Sequence, residues 1–371
     1  MAIIIYFFLL TCYAGYFFEQ GHSAKNFVKP QYFDKTCPDK PCLTFDDYLQ
    51  EEDKYFRSNS TFIFLPGIHQ MEFSLKLKKL RNMMFIGDLN RSTSYNTSQL
   101  IFGPSVNITW TLSYNITITN LMFHLSGTRD SKHFHTALYF VGSLGVKLSI
   151  VTFVGDDNFY SAAVSCRYSE MTILQGQFFS CSNKKSPGVT AVNCTILAHN
   201  NTFVNNTATT EGGAVSFVRS TVKLAGMNTF HNNVAGTGGG AIYCGQSTLM
   251  IEGSNYFSYN LVTHNTIDNL TDFRGNGGAI YGSDMCTLKA HGDIHFIGNT
   301  VPQLGGGLFM FNSFALLTDY VTFENNSADL GGGGIAMYDD SILLGRNITF
   351  LNTMQGTLAE GFIVCPVILY C

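Results

Sequence analysis

One residue returns along this chain at a fixed interval. Phenylalanine stands at Phe203, Phe230, Phe257, Phe296, Phe323 and Phe350, with steps of 27, 27, 39, 27 and 27 residues. Upstream, Phe179, Phe153 and Phe123 extend the series with steps of 24, 26 and 30. A constant period of this length is the mark of a solenoid, whose repeats stack and bury one continuous core. The residues two, four, six and eight before each Phe share its register. Asn228, Gly226, Leu224 and Val222 precede Phe230; Asn255, Gly253, Ile251 and Leu249 precede Phe257; Ile348, Arg346, Leu344 and Ile342 precede Phe350. Alternation with a period of two belongs to strands, not helices.

Two short motifs recur with the Phe. Phe-x-x-Asn occurs at Phe203–Asn206, Phe230–Asn233, Phe257–Asn260, Phe296–Asn299 and Phe323–Asn326. Each is followed by a Gly-Gly step: Gly212–Val215, Gly239–Ile242, Gly277–Ile280, Gly305–Leu308 and Gly332–Ile335. A coil of several short strands with glycine corners fits a parallel β-helix, with neighbouring coils about 4.8 Å apart. Equivalent residues then lie above one another. Phe203, Phe230, Phe257, Phe296 and Phe323 are expected to stack inside. Asn206, Asn233, Asn260, Asn299 and Asn326 are expected to form a hydrogen-bonded amide ladder at a corner. Glycine at the other corner permits φ > 0 or close backbone approach.

These motifs resemble the repeat signature of the chlamydial polymorphic outer membrane proteins. The resemblance implies a right-handed parallel β-helix of the pectin-lyase-like superfamily. It is strongest over about 203–352 and reaches weakly back to about 61, where Phe64–His69 (FLPGIH) looks like the first-strand entry of such chains. Those bacterial proteins end in a membrane β-barrel for which this chain has no room, so their outer-membrane location is not carried over.

The expected fold is therefore all-β, a solenoid of about 27 residues per coil with a small helical N-terminal cap. Residues 1–24 read as a signal peptide: the first 18 carry no charge, and small residues near Ala14 and Ala24 suit cleavage. An uncleaved anchor is the alternative. Residues 25–60 read as the cap, with Thr44 and Asp47 resembling a capping box at the start of a short amphipathic helix. Cys37 and Cys42 are close enough for a local disulfide. The coils span 61–352. The 39-residue step needs an inserted loop at about 261–276, because twelve extra residues wound into the stack would shift every later column. Residues 353–371 read as an incomplete coil.

Charged residues make up 13% of the chain and the net charge is −4, which gives no global pull toward nucleic acid. Eleven Asn-x-Ser/Thr sequons, at Asn59, Asn90, Asn96, Asn107, Asn115, Asn193, Asn200, Asn205, Asn269, Asn325 and Asn347, agree with a secreted or cell-surface glycoprotein. Ten cysteines include no C-x-x-C pair, which excludes a zinc-finger arrangement.

A sugar-cleaving β-helix needs paired carboxylates beside the scissile bond. Asp156–Asp157 is the one adjacent pair resembling that family's Asp-Asp, and the accompanying Asn-Thr-Asp, Gly-His-Gly and Arg-Ile-Lys elements are missing. The pair reads as a corner turn, as does Asp339–Asp340. His291, Asp293 and His295 alternate and share an outward face, chemically suited to a metal; they read as a solvated polar surface. His133 and His135 form a weaker version. Lys76, Lys78, Lys79 and Arg81 form the one basic cluster, read as a solvated strand edge or as a contact for an anionic glycan. Trp110 is the sole Trp, so a platform of several indoles is excluded.

The expected function is a structural or adhesive interaction module, not an enzyme, facing an extracellular glycan or protein. A polysaccharide lyase or hydrolase, or a glycan-binding module, is the alternative. Neither a cofactor nor a metal is expected, and no nucleic acid. Membrane contact is expected only through an uncleaved N-terminal anchor.

Overall fold

The computed structural model describes residues 24–29, 42–88, 97–103, 105–125, 135–156, 161–184, 186–263, 275–355 and 362–364. The chain is a parallel β-helix of about nine turns. Its coils share two long parallel sheets. In one coil, Ile242–Gly245 lies in the first sheet, Thr248–Ser258 in the second and Leu261–Val262 back in the first. The next coil repeats this with Ile280–Ser283, Thr287–Ile297 and Thr300–Val301. The two long strands pair in parallel over their whole length, Thr248 opposite Thr287 through Ser258 opposite Ile297.

Among the described residues, helix is confined to Phe45–Gln50 and Glu52–Tyr55. The first begins with the expected capping box: the Asp47 backbone N–H donates to Thr44 Oγ1 (3.2 Å), and the Thr44 N–H donates to Asp47 Oδ2 (3.1 Å). Phe45 and Tyr48 are buried from this helix onto the first coil, against Phe64 and Phe62. Ala24–Val28 pairs in parallel with Ser60–Phe64, so strand pairing begins before the helix. Cys42 is disulfide-bonded. Cys37 and residues 1–23 of the expected signal peptide lie outside the described residues.

The core is a file of phenylalanines. Phe123, Phe153, Phe178, Phe203, Phe230, Phe257, Phe296, Phe323 and Phe350 stack with centroids 4.5 to 5.2 Å apart. The file runs through Phe178, which pairs with Phe203 and is buried, and not through Phe179, which pairs with Val204 on the outer face. The last coil also departs from the sequence reading. Leu343 is the buried residue, while Ile342 and Leu344 fall on the outer columns of Phe314 and Leu316. The reason lies in the corner before the Phe. Leu317 and Val321 flank it in one coil, Gly345 and Ile348 in the next, one residue shorter. A one-residue change flips every side chain beyond it to the other face.

Both glycines of the Gly-Gly step have a distinct cause. Gly239 has φ +64°, and a Cβ there would meet the Ile242 carbonyl oxygen at 2.2 Å. At Gly240 a Cβ would meet the Gly278 oxygen of the next coil at 2.1 Å. The first glycine supplies the turn and the second lets the coils close.

The inserted segment leaves later than its sequence bounds. Leu261 and Val262 stay in the stack, and Val262 is buried in a small column with Ala235, Val301 and Ala328. The stack resumes at Asn276, bridged to Gly238. Residues 264–274, with Asn269, lie outside the described residues. At the far end Phe362–Val364 pairs with Ile335–Met337, adding a further rung.

Candidate functional site

Each coil turns on either side of its Phe. At the corner after it, Asn206, Asn233, Asn260, Asn299 and Asn326 are fully buried. Each of the first four donates from Nδ2 to Oδ1 of the next, at 2.9, 3.0, 2.9 and 2.9 Å. The same oxygens accept the backbone N–H of the preceding Asn. Nδ2 of Asn233, Asn260, Asn299 and Asn326 also donates to a Phe carbonyl one coil back. The side-chain amides of Asn206, Asn233, Asn260 and Asn299 are thus consumed inside.

The corner before the Phe starts similarly and then changes. Asn201, Asn228 and Asn255 form a second buried ladder, with Asn201 Nδ2 donating to Asn228 Oδ1 (3.2 Å) and Asn228 Nδ2 to Asn255 Oδ1 (2.9 Å). The next residues in this column are Ile294, Val321 and Ile348. Outside the corner, Gly253 and Gly292 pair in one column and Asp319 occupies its next place. All three have positive φ, +83°, +133° and +69°. Aspartate tolerates this left-handed conformation, and here it sets a carboxylate where the column otherwise carries glycine.

Around Asp319 the outer face gathers polar side chains from adjacent coils. His291 Nδ1 lies 2.8 Å from Asp319 Oδ2 and 3.2 Å from Thr318 Oγ1. Arg346 Nη2 lies 4.0 Å from Asp319 Oδ1. His295 Nε2 lies 2.9 Å from Asp293 Oδ1, and its ring stacks on Tyr256 at 4.9 Å with an 8° interplanar angle. Tyr320 pairs with Asp293 across the strands and is 70% exposed. Strand spacing and rise put the Cα atoms of Asp293 and Asp319 about 6 Å apart. His291, Asp293 and His295 do share an outward face, but each histidine is taken by a carboxylate. Among the described residues no group of three or more His, Cys, Asp or Glu is placed to hold a metal.

The other sequence candidates lie elsewhere. Asp156 ends the strand Val146–Gly155, and Asp157 lies outside the described residues, as do His133 and the side chain of His135. Lys76 and Lys78 point outward from Leu75–Lys78, which pairs with Ile108–Thr111 at the N-terminal end of the first sheet. Arg81 sits over the Tyr114 ring, 5.5 Å from its centroid. Trp110 is fully buried and stacked on Phe140, unavailable to a sugar. Of the sequon asparagines, Asn59, Asn115, Asn200, Asn205, Asn325 and Asn347 are exposed, all with positive φ at corners. Asn107 and Asn193 are half-buried; Asn90 and Asn96 lie outside the described residues.

Residues 229–245 and 320–337 match the Chlamydia polymorphic membrane protein repeat. The resemblance read from Phe-x-x-Asn and Gly-Gly-Ala-Ile holds. Of solved structures, the chain is similar to a catalytic-domain variant of a GH87 α-1,3-glucanase in complex with tetrasaccharides. The identity is 13%, 94% of this chain and 69% of that chain are covered, and the TM-score is 0.52. It is also similar to the Agl-KA catalytic domain (12% identity, 93% and 68% covered, TM-score 0.42) and to the exopolygalacturonase of Thermotoga maritima (12%, 88% and 87%, TM-score 0.32). No curated protein matches the sequence. At this identity the likeness to the glucanase domain speaks for the parallel β-helix fold alone.

The expectation that the chain is not an enzyme is corrected here. The solved structure it resembles at a TM-score of 0.52 is the catalytic domain of a glycoside hydrolase, so this fold gives no ground for excluding catalysis. The sequence argument against catalysis also rested on a weak premise. It sought carboxylates adjacent in the chain, whereas a solenoid sets residues about one period apart on neighbouring coils, as with Asp319, which pairs with Gly292 beside Asp293.

Proposed function

We propose that this chain is a surface-displayed, carbohydrate-active β-helix that takes a neutral glycan across the outer corner formed by Tyr256, His291, Asp293, His295, Asp319 and Tyr320. The observation that carries this reading is the pair Asp293 and Asp319, on adjacent coils at one corner, each tied to a histidine. Sugar-cleaving enzymes place a pair of carboxylates on either side of the glycosidic bond. Carboxylates and imidazoles also suit vicinal hydroxyls, and the Tyr256–His295 stack and the open Tyr320 ring offer apolar faces for sugar C–H groups. Asp293 and Asp319 at the corner disfavour an anionic polyuronate, while Glu252 beside them is paired with Lys223 (2.7 Å).

In this reading Asp293 gives a proton to the leaving glycosidic oxygen as its bond to the anomeric carbon breaks, and Asp319, held by His291, takes a proton from the water that attacks that carbon. Surface display is supported by the polymorphic membrane protein repeat and by the disulfide-bonded cysteines Cys42, Cys244 and Cys286. Among the described residues no helix is long and apolar enough to cross a membrane.

The test is release of new reducing ends from α-1,3-glucan, other neutral glucans and polygalacturonate by the purified protein. Release is expected from a neutral glucan and is expected to disappear in both Asp293→Asn and Asp319→Asn. Release that survives both substitutions, or neither cleavage nor binding of any neutral glycan, overturns the reading.

A further inference from the structure

Two cysteine pairs occupy the same two columns of the solenoid. In the first, Cys244 belongs to Ile242–Gly245, and Cys286 stands one coil on, at the corner before Thr287–Ile297; the two are joined in a disulfide with Cα atoms 5.9 Å apart. Cys286 interrupts a buried file of serines. Ser113, Ser143 and Ser169 precede it in that column, then Ser220 and Ser247, then Ser313 and Ser341. The file is linked by backbone N–H donation to the next hydroxyl, Ser113 to Ser143, Ser143 to Ser169, Ser220 to Ser247 and Ser313 to Ser341. The Cys286 N–H donates to Ser313 Oγ (3.1 Å) in the same way.

Cys194 is the other interruption of that file, its N–H donating to Ser220 Oγ (3.0 Å). One coil before it, Cys166 lies in the column of Cys244: strand pairing runs Cys166 to Ala191, Ala191 to Phe217 and Phe217 to Cys244. Cys166 therefore bears to Cys194 the relation that Cys244 bears to Cys286. Both are buried, their side chains are hydrogen-bonded to each other, and neither is bonded covalently in this structure.

We propose that Cys166 and Cys194 are a second inter-coil disulfide site, register-equivalent to Cys244–Cys286 and closed as the chain folds in an oxidising compartment. The two thiols give up two protons and two electrons. A disulfide of the thiol–disulfide class, on an oxidoreductase or in oxidised glutathione, takes them and becomes two thiols. One cysteine thiolate first attacks that disulfide to give a mixed disulfide, and the other then displaces the carrier sulfur. Burial confines the exchange to the stage before the coils close, and protects the bond afterwards. Cys181 is the internal control. It lies one coil before Asn206 at the amide corner, where its N–H donates to Asn206 Oδ1 (3.1 Å), and burial pushes its thiol up to about 12. It has no register partner and stays a thiol.

The test is peptide mapping of the full chain made through an oxidising secretory pathway, alkylated in denaturant without reduction. The expected result is a linked peptide pair containing Cys166 and Cys194, with Cys181 alkylated. Alkylation of both Cys166 and Cys194, or linkage of either to Cys181, overturns the proposal. Cys194→Ser gives a second readout, because serine is the usual residue of that column and should fold. Its melting temperature should fall by on the order of 5 °C relative to wild type without reductant, and match the wild type after both are reduced. An equal difference in both conditions would mean that packing, not a bond, is what the substitution removes.

Discussion

The corner after the Phe and the corner before it solve one problem in two ways. Both must satisfy backbone groups where a strand ends inside the core. The first does so with five stacked asparagines from Asn206 to Asn326, without interruption. The second begins with Asn201, Asn228 and Asn255 and then continues with Ile294 and Val321. Where its amides stop, its outer side acquires His291, Asp293, His295, Asp319 and Tyr320. An uninterrupted ladder holds the stack together; an interrupted one leaves an outer surface on which chemistry can be placed.

The largest effect should come from breaking the uninterrupted corner. Asn260→Ala removes the acceptor of two Asn233 donors and strands the Phe230 carbonyl, all fully buried. Stability to denaturant should fall by about 3 kcal/mol. Asn232→Gly next to it, exposed with φ +53°, should shift stability by less than about 0.5 kcal/mol. Equal losses at the two positions would contradict an inward ladder.

A smaller loss is expected at the second corner. Gly292→Ala places a Cβ 2.4 Å from the Gly253 carbonyl oxygen at φ +133°. It should cost about 2 kcal/mol, read from the same unfolding transition. The reverse exchange, Asp319→Gly, should be nearly neutral, within about 0.5 kcal/mol, because glycine accepts φ +69° without strain. A large loss at Asp319 would make this carboxylate a structural element of the corner and not a functional one.

The regular coils were legible because a solenoid writes its contacts at a constant sequence separation. The Phe file from Phe203 to Phe350, the buried asparagines and the glycine corners could all be counted off the chain. What failed was register wherever one residue is gained or lost, as at Phe179 and at Ile342 and Leu344. Period-two alternation cannot see a corner that shortens by one. The serine file was missed because its members, such as Ser220 and Ser247, carry no weight in a hydrophobic pattern and become visible only once the coils are aligned. The candidate site was half legible. His291, Asp293 and His295 were readable as one face, but their pairing with Asp319, Tyr256 and Arg346 comes from neighbouring coils. Asp319 had no local motif, and its signal is the glycine column that it interrupts.

The central claim is that the open corner, and not the amide corner, meets the glycan. Calorimetric titration of wild type and Asp319→Gly with an α-1,3-linked gluco-oligosaccharide tests it most directly, with unfolding followed in parallel. The account predicts binding by the wild type, affinity weakened by about tenfold or more in Asp319→Gly, and unfolding transitions that coincide, since a lost hydrogen bond to a charged group is worth about 1.5–3 kcal/mol. Equal affinity in the two proteins, or no binding of any neutral gluco-oligosaccharide by the wild type, would contradict it.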